Sequence, residues 1–239
     1  MCRFDFKEFS IRQDKTAMKV GTDGVLLGAW ADIAQASTIL DVGTGTGVIA
    51  IMSAQRNSFA MVDAVEINHN SFEQATENVA NSKWNNRIKV HFSSIFDFHP
   101  QYFFDHIICN PPFFNNSTIA PNEGRNLARH CVNFSHEALL DYSAQYLSPS
   151  GKLSIILPKT EGERLVSVSS NYALALQRIT EVFPNDRSIH PKRLLLEFMP
   201  AKDAIRIYPL REKLIIEHQH HEYTAAYKEL TKDFYLNFH

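Results

Sequence analysis

A chain of 239 residues is long enough for one large domain with a well-buried core. Its 44% hydrophobic and 21% charged residues are the composition of an ordinary globular protein, and no apolar run approaches the roughly 20 residues that a membrane helix needs. A net charge of −2 excludes global attraction to a polyanion, so any nucleic-acid contact has to come from a local basic patch.

The first residues, Met1-Cys2-Arg3-Phe4-Asp5, carry charge where a secretion signal needs an apolar stretch. Cys2, Cys109 and Cys131 form neither a CxxC pair nor a zinc spacing. Free thiols in a reducing, cytoplasmic compartment are expected, with no bound metal.

Taken in chain order, Thr38–Val42 is a short apolar run that reads as a buried strand and ends in a glycine-rich turn. Val48–Arg56 reads as a helix, Met61–Glu66 as a second strand, and 70–82 as a helix opened by a capping box of Ser71 and Gln74. Ile88–Phe92 is a third strand. Phe104–Cys109 is a fourth and runs straight into Asn110. A helix over 135–147, a turn at Pro149-Ser150-Gly151 and a strand over Lys152–Leu157 follow. The remainder predicts a helix over 161–173 and strand-like runs at 176–183 and 193–199. Tyr223–Phe238 places Tyr227, Leu230, Phe234, Tyr235 and Phe238 at helical spacing, the pattern of a helix docked on the core. Strands alternating with helices predict an α/β fold with a mostly parallel sheet covered on both faces. Ligands in such folds sit beyond the carboxyl ends of the strands, where the strand order reverses.

Two motifs fall at such strand ends. In Asp41-Val42-Gly43-Thr44-Gly45-Thr46-Gly47, glycine permits positive φ and close approach of a ligand to the backbone. The following helix N-terminus favours an anionic group, here the carboxylate of a methionine moiety. Asp41 can receive that moiety's amino group, and Glu66, at the end of the second strand, can accept bonds from both hydroxyls of a ribose. The spacing G-x-G-x-G, preceded by Asp, favours S-adenosylmethionine (SAM) over NAD, whose fingerprint is G-x-G-x-x-G. The alternative is a tight turn with no ligand.

The second motif is Asn110-Pro111-Pro112-Phe113. Each proline fixes its own φ and restricts the residue before it, so this loop is stiff. The Asn110 side-chain carbonyl and the Pro111 backbone carbonyl are both acceptors. Together they can hold the two N–H groups of a planar amine and aim its lone pair at a methyl donor. Orientation and electrostatics would then supply most of the rate, with no metal and no strong base. Phe113 can stack on a base taken out of its stack. A strand-ending turn with a core phenylalanine is the plainer reading of this tetrapeptide alone.

With these motifs, the block Met18–Trp30 and the terminal stretches Tyr223–Leu230 and Phe234–Leu236, the chain resembles the tRNA1(Val) (adenine-37-N6)-methyltransferases over nearly its whole length. The resemblance implies a Rossmann-like class I methyltransferase fold with a mostly parallel seven-stranded sheet. It implies a single domain over 1–239, in which 1–35 is an extension packing on the cofactor and substrate site and 200–239 supplies a C-terminal strand and helix. It also implies SAM as cofactor, tRNA as partner, no membrane association, a monomer, and Thr22 and Asp23 at the methionine end of the cofactor. Related enzymes commonly place an Asp after the third strand to accept from the cofactor's adenine amino group. This chain has Ser94 there, followed by Ile95. A hydroxyl lacks charge assistance, so weaker SAM binding is expected unless Asp97 substitutes.

Asn-Pro-Pro-aromatic loops also serve enzymes acting on DNA adenine, rRNA bases or the glutamine of release factors. A chain of this length leaves no room for a DNA target-recognition domain, and only a short segment precedes Thr38, where release-factor enzymes carry a helical domain. A non-catalytic SAM- and RNA-binding module is disfavoured by the intact Asn110–Phe113. An NAD oxidoreductase is disfavoured because none of the eleven histidines sits in a recognisable motif. Basic residues cluster at Arg3, Lys7, Arg12, Lys15 and Lys19, at Arg125, Arg129 and His130, and at Arg187, Lys192 and Arg193. Any of these could meet phosphates or simply be solvated. The cluster following the catalytic loop, with Lys192 and Arg193, is the expected tRNA contact.

Overall fold

Nine strands hydrogen-bond into one sheet in the computed structural model, which describes residues 2–16, 18–111, 135–205 and 208–238. In chain order the elements are β1 (Arg3–Asp5), β2 (Ser10–Arg12), α1 (Thr22–Trp30), β3 (Thr38–Val42), α2 (Val48–Arg56), β4 (Met61–Glu66), α3 (His69–Ala80), β5 (Ile88–Phe92) and β6 (Phe104–Cys109). Then come α4 (His136–Tyr146), β7 (Leu147–Pro158), α5 (Lys159–Val168), β8 (Leu174–Asn185), β9 (Arg193–Pro200), β10 (Leu210–Gln219), β11 (Glu222–Tyr223) and α6 (Ala225–Thr231).

The sheet order is β11-β10-β8-β9-β7-β6-β3-β4-β5. Strands β5, β4, β3, β6 and β7 run parallel, and β9 lies antiparallel between β7 and β8. These account for the seven strands expected. β10, parallel to β8, and the short β11 extend the sheet beyond them.

Alternating residues of each central strand enter opposite cores, as the two-residue side-chain period demands. Ile39, Ile108, Ile156 and Leu195 join a core formed with α1, α2 and the chain termini. Leu40, Ile107, Ile155 and Leu196 join a second core with α4 and α5. Both cores are needed because a parallel sheet has no solvated face.

Several boundaries differ from expectation for local reasons. Helix α3 begins earlier, capped by the Asn68 side chain, which accepts from Ser71 N at 3.0 Å. Gln74 instead accepts from Lys15 N at 3.1 Å, so the Ser71–Gln74 box does not form. Residues 149–151 lie within β7, whose pairing with β6 is irregular near Phe104. The helix expected over 161–173 ends as α5 at Val168, followed by a 3-10 turn that closes on Ala173 at φ 55°. At the C-terminus only Ala225–Thr231 is α-helical, with Phe234, Tyr235 and Phe238 beyond it. Tyr227, Phe234 and Phe238 are nonetheless buried in the first core.

The β1–β2 hairpin packs on that same corner. Phe6 lies 4.6 Å from Phe9 and 6.1 Å from Tyr235 between ring centroids, and Lys7 N donates to Phe234 O at 2.9 Å. The chain then runs along α3, where Asn78 accepts from Arg12 N at 2.9 Å and donates to both Arg12 O and Thr46 O at 2.8 Å. The N-terminal segment is thereby tied to the glycine turn.

Candidate active site

The order of strands reverses at β3 and β6, and Val42 pairs with Cys109 across them. The glycine turn and Asn110 therefore leave the sheet side by side, one strand spacing (about 4.8 Å) apart. Gly43, Gly45 and Gly47 adopt φ of 68°, 58° and 82°. These values lie in the left-handed region that glycine enters without penalty. Open space surrounds the position of a Gly43 Cβ, as a ligand-facing backbone requires, whereas a Cβ on Gly47 would stand 3.5 Å from Ala75 of α3. Gly43 N and Thr44 N both donate to Val65 O, at 2.9 and 3.1 Å, which fixes the turn over the end of β4.

Two acids close this cradle. Asp41 is buried, and its Oδ2 accepts from Thr44 Oγ1 at 2.6 Å and from Ala50 N at 3.1 Å. Its Oδ1 is buried with no hydrogen-bond partner among the described residues. Burial raises its carboxyl to about 7, against the two bonds that favour the anion, with the nearby Glu66 adding to the rise. Glu66 accepts from Gly45 N at 2.9 Å and Asn68 N at 2.8 Å, and burial raises its carboxyl too. A site holding two desolvated acids is completed by a cationic or multiply donating ligand. The unpartnered Asp41 oxygen suits an ammonium group, and a carboxylate such as Glu66 retains lone pairs for ribose hydroxyls.

Asn110 is half-buried, yet its side-chain carbonyl oxygen is fully buried and has no partner among the described residues. Its Nδ2 sits 3.6 Å from where a Gly24 Cβ would be, an ordinary packing distance that places Asn110 against the first turn of α1. Beside Asn110 opens a cavity of about 650 Å³, walled by Thr22 and Asp23 of α1, Val182 of β8, Arg193 of β9 and Ile216 of β10. That volume falls in the range of small-molecule sites.

Residues 19–167 match the family described as methyltransferase small domain. A tRNA1(Val) (adenine(37)-N6)-methyltransferase of Phocaeicola vulgatus is 43% identical over 98% of this chain and 97% of its own. One of the same description from Trichodesmium erythraeum is 44% identical over 99% and 98%. The chain belongs to this methyltransferase family. Among solved structures, a predicted O-methyltransferase from Agrobacterium tumefaciens superposes with a TM-score of 0.66 at 19% identity, covering 89% of this chain and 96% of that one. A putative RNA methyltransferase from Pyrococcus horikoshii gives 0.51 at 19% identity, over 73% and 81%. These two likenesses bear on the fold alone.

The enzyme brings Asp41, the three glycines, Glu66, Asn110 and Pro111 to one end of the sheet, as expected from sequence. Ser94 and Ile95 are buried just past β5, where Ser94 Oγ accepts from Phe96 N at 3.2 Å, while Asp97 is exposed. Thr22 and Asp23 open α1 on the cavity wall. The Asp23 carboxylate is paired with Arg193 Nε at 2.8 Å, so a residue expected at the cofactor and one expected at the tRNA face each other. Lys192 is exposed on the same wall. In the N-terminal basic cluster, Arg3 pairs with Asp5, Lys15 with Glu73 and Glu77, and Lys7 donates to Phe238 O. Pro112, Phe113, Arg125, Arg129 and His130 lie outside the described residues.

Asn78 and Gly28 escaped the sequence reading. A Cβ on Gly28 would come 2.9 Å from Met52 Sδ, so the glycine marks the tight crossing of α1 over α2. The spacing of Gly24 and Gly28 within the Met18–Trp30 block was its only signal. Asn78 left none, because its three partners are backbone atoms distant in sequence.

Proposed function

We propose that this enzyme transfers the methyl group of SAM to N6 of an adenine in tRNA, at position 37 of tRNA(Val) as in the relatives' names. The carrying observation is the buried Asn110 Oδ1, unpartnered among the described residues, beside the glycine cradle. A buried acceptor without a donor costs roughly 1–3 kcal/mol and is retained where a substrate supplies the donor.

SAM, when bound, supplies a sulfonium-activated methyl group. Asp41 Oδ1 would hold the cofactor's ammonium, Glu66 the ribose hydroxyls, Gly43, Gly45 and Gly47 would allow the close approach of its chain, and Ser94 and Ile95 would meet the adenine edge. Thr22 and Asp23 flank the methionine end. Asn110 Oδ1 and the Pro111 carbonyl would accept hydrogen bonds from the two N6–H groups of the target, orienting its lone pair away from the ring's conjugation. The transferred product is acidic and loses its extra proton to water, so no buried base is required. Pro112 and Phe113 complete the loop, with Phe113 stacking on the extruded base. Lys192, Arg193, Arg125, Arg129 and His130 are the tRNA contacts of this reading. It further holds that the chain is one domain acting as a cytoplasmic monomer. Among the described residues no helix is long and apolar enough to cross a membrane, and no cluster of metal-ligating side chains occurs.

The test is methylation of total tRNA with labelled SAM followed by nucleoside analysis, with N6-methyladenosine in tRNA(Val) as the expected product. Label in protein glutamine, or none, refutes the reading. Asn110→Ala is expected to lower kcat about a hundredfold or more with SAM affinity near normal. Equal losses in both would show a structural loop.

A further inference from the structure

The turn joining β8 to β9 rises from the wall of the cavity that contains Val182, Lys192 and Arg193. It is braced from within. Asn185 Oδ1 accepts from Arg187 N at 3.2 Å and Ser188 Oγ at 3.0 Å, and Ser188 N donates to Asn185 O at 3.2 Å. Lys192 N donates to Val182 O at 2.8 Å, and Pro191 is buried. On this stiff turn stands Ile189, 86% exposed, the most exposed large hydrophobic side chain among the described residues. Arg187 and Lys192, both exposed, flank it.

A single exposed aliphatic residue needs no explanation on a plain surface. This one stands on a braced turn, between two cations, three residues before Lys192 of the cavity wall. An adenine that enters such a cavity must first leave its stack, and it leaves behind a gap lined by apolar base faces. Proteins that unstack nucleic acids commonly fill such gaps with an aliphatic side chain while cations hold the adjacent phosphates. Resting on the functional reading above, we propose that Ile189 is a wedge. It enters the tRNA loop beside the target adenine and occupies the space that base vacates, with Arg187 and Lys192 on the flanking phosphates. The β8–β9 turn is thus an RNA-opening element distinct from the loop that holds the amine.

Single-turnover methyl transfer is measured for wild type, Ile189→Ala and Ile189→Leu on two substrates. One is the intact tRNA. The other carries an abasic site next to the target adenine, so that the stack is already broken. Ile189→Ala is expected to slow transfer about tenfold to a hundredfold on intact tRNA and less than about threefold on the abasic tRNA, with Ile189→Leu near wild type on both. SAM affinity should be the same in all three, since the proposal has Ile189 meet RNA and not the cofactor. Equal rates for Ile189→Ala and wild type on intact tRNA overturn the wedge, as does the same loss on both substrates. A wild-type enzyme that methylates no tRNA overturns the functional reading itself, and the wedge with it.

Discussion

Replacing Asp41 with asparagine separates the two demands placed on the glycine cradle. The folded carboxyl titrates at about 7 against an ordinary 3.8, because burial penalises the anion. Its folded value is therefore raised, and the folded state binds the proton more tightly than the unfolded chain does. The contribution of this group to stability is whole below about pH 4, declines as the pH climbs toward 7, and is lost above it. A gap of about 3 pH units is worth at most ~4 kcal/mol of destabilisation at pH 8. The amide in Asp41→Asn would retain an acceptor for Thr44 Oγ1 and Ala50 N, the two partners of Oδ2, while carrying no charge. The ligand-free variant should accordingly melt higher at pH 8, by about 5–15 °C for a chain of this size, with the gap falling to roughly a third of that at pH 5 and closing near pH 4. The same change removes the anion proposed to receive the cofactor's ammonium. SAM dissociation measured by calorimetry should weaken about tenfold to a hundredfold, the worth of a charge-assisted bond in a desolvated site. A variant less stable than wild type at pH 8, or one with unaltered SAM affinity, refutes the reasoning.

Asn78→Ala removes the three bonds that tie the N-terminal segment to the glycine turn. A stability loss of about 2–3 kcal/mol in urea unfolding is expected. Since the turn and not the amine site is loosened, KM for SAM should rise while kcat at saturating SAM stays within about twofold of wild type. A fall in kcat with unchanged KM would show that the tie serves the substrate side. Ser94→Asp should tighten SAM binding severalfold by restoring a charged acceptor, and an unchanged or weaker dissociation constant contradicts that role.

The central strands and both motifs were legible because their signals are local. A short apolar run ending in Asp41 and three glycines, and another ending in Asn110, say where strands stop and loops must bend. The N-terminus of α3 was misplaced because Ser71 and Gln74 satisfy a capping pattern, yet Asn68 caps one turn earlier and Gln74 is taken by Lys15 N. The last helix was overextended because the aromatic spacing of Tyr227, Phe234 and Phe238 reports burial. Burial is achieved here by a turn as well as by a helix.

The sequence by itself determined that a glycine turn ending one strand precedes an Asn-Pro loop ending another, the order on which the proposed chemistry rests. Tertiary structure decided what each charged side chain does. Asp23 and Arg193, far apart in the chain, become partners at 2.8 Å on one wall. Lys15 is spent on α3, while Ile189 is left bare on a braced turn. Charge and apolarity are readable one residue at a time. Whether a group is paired, desolvated or exposed depends on what folding brings beside it.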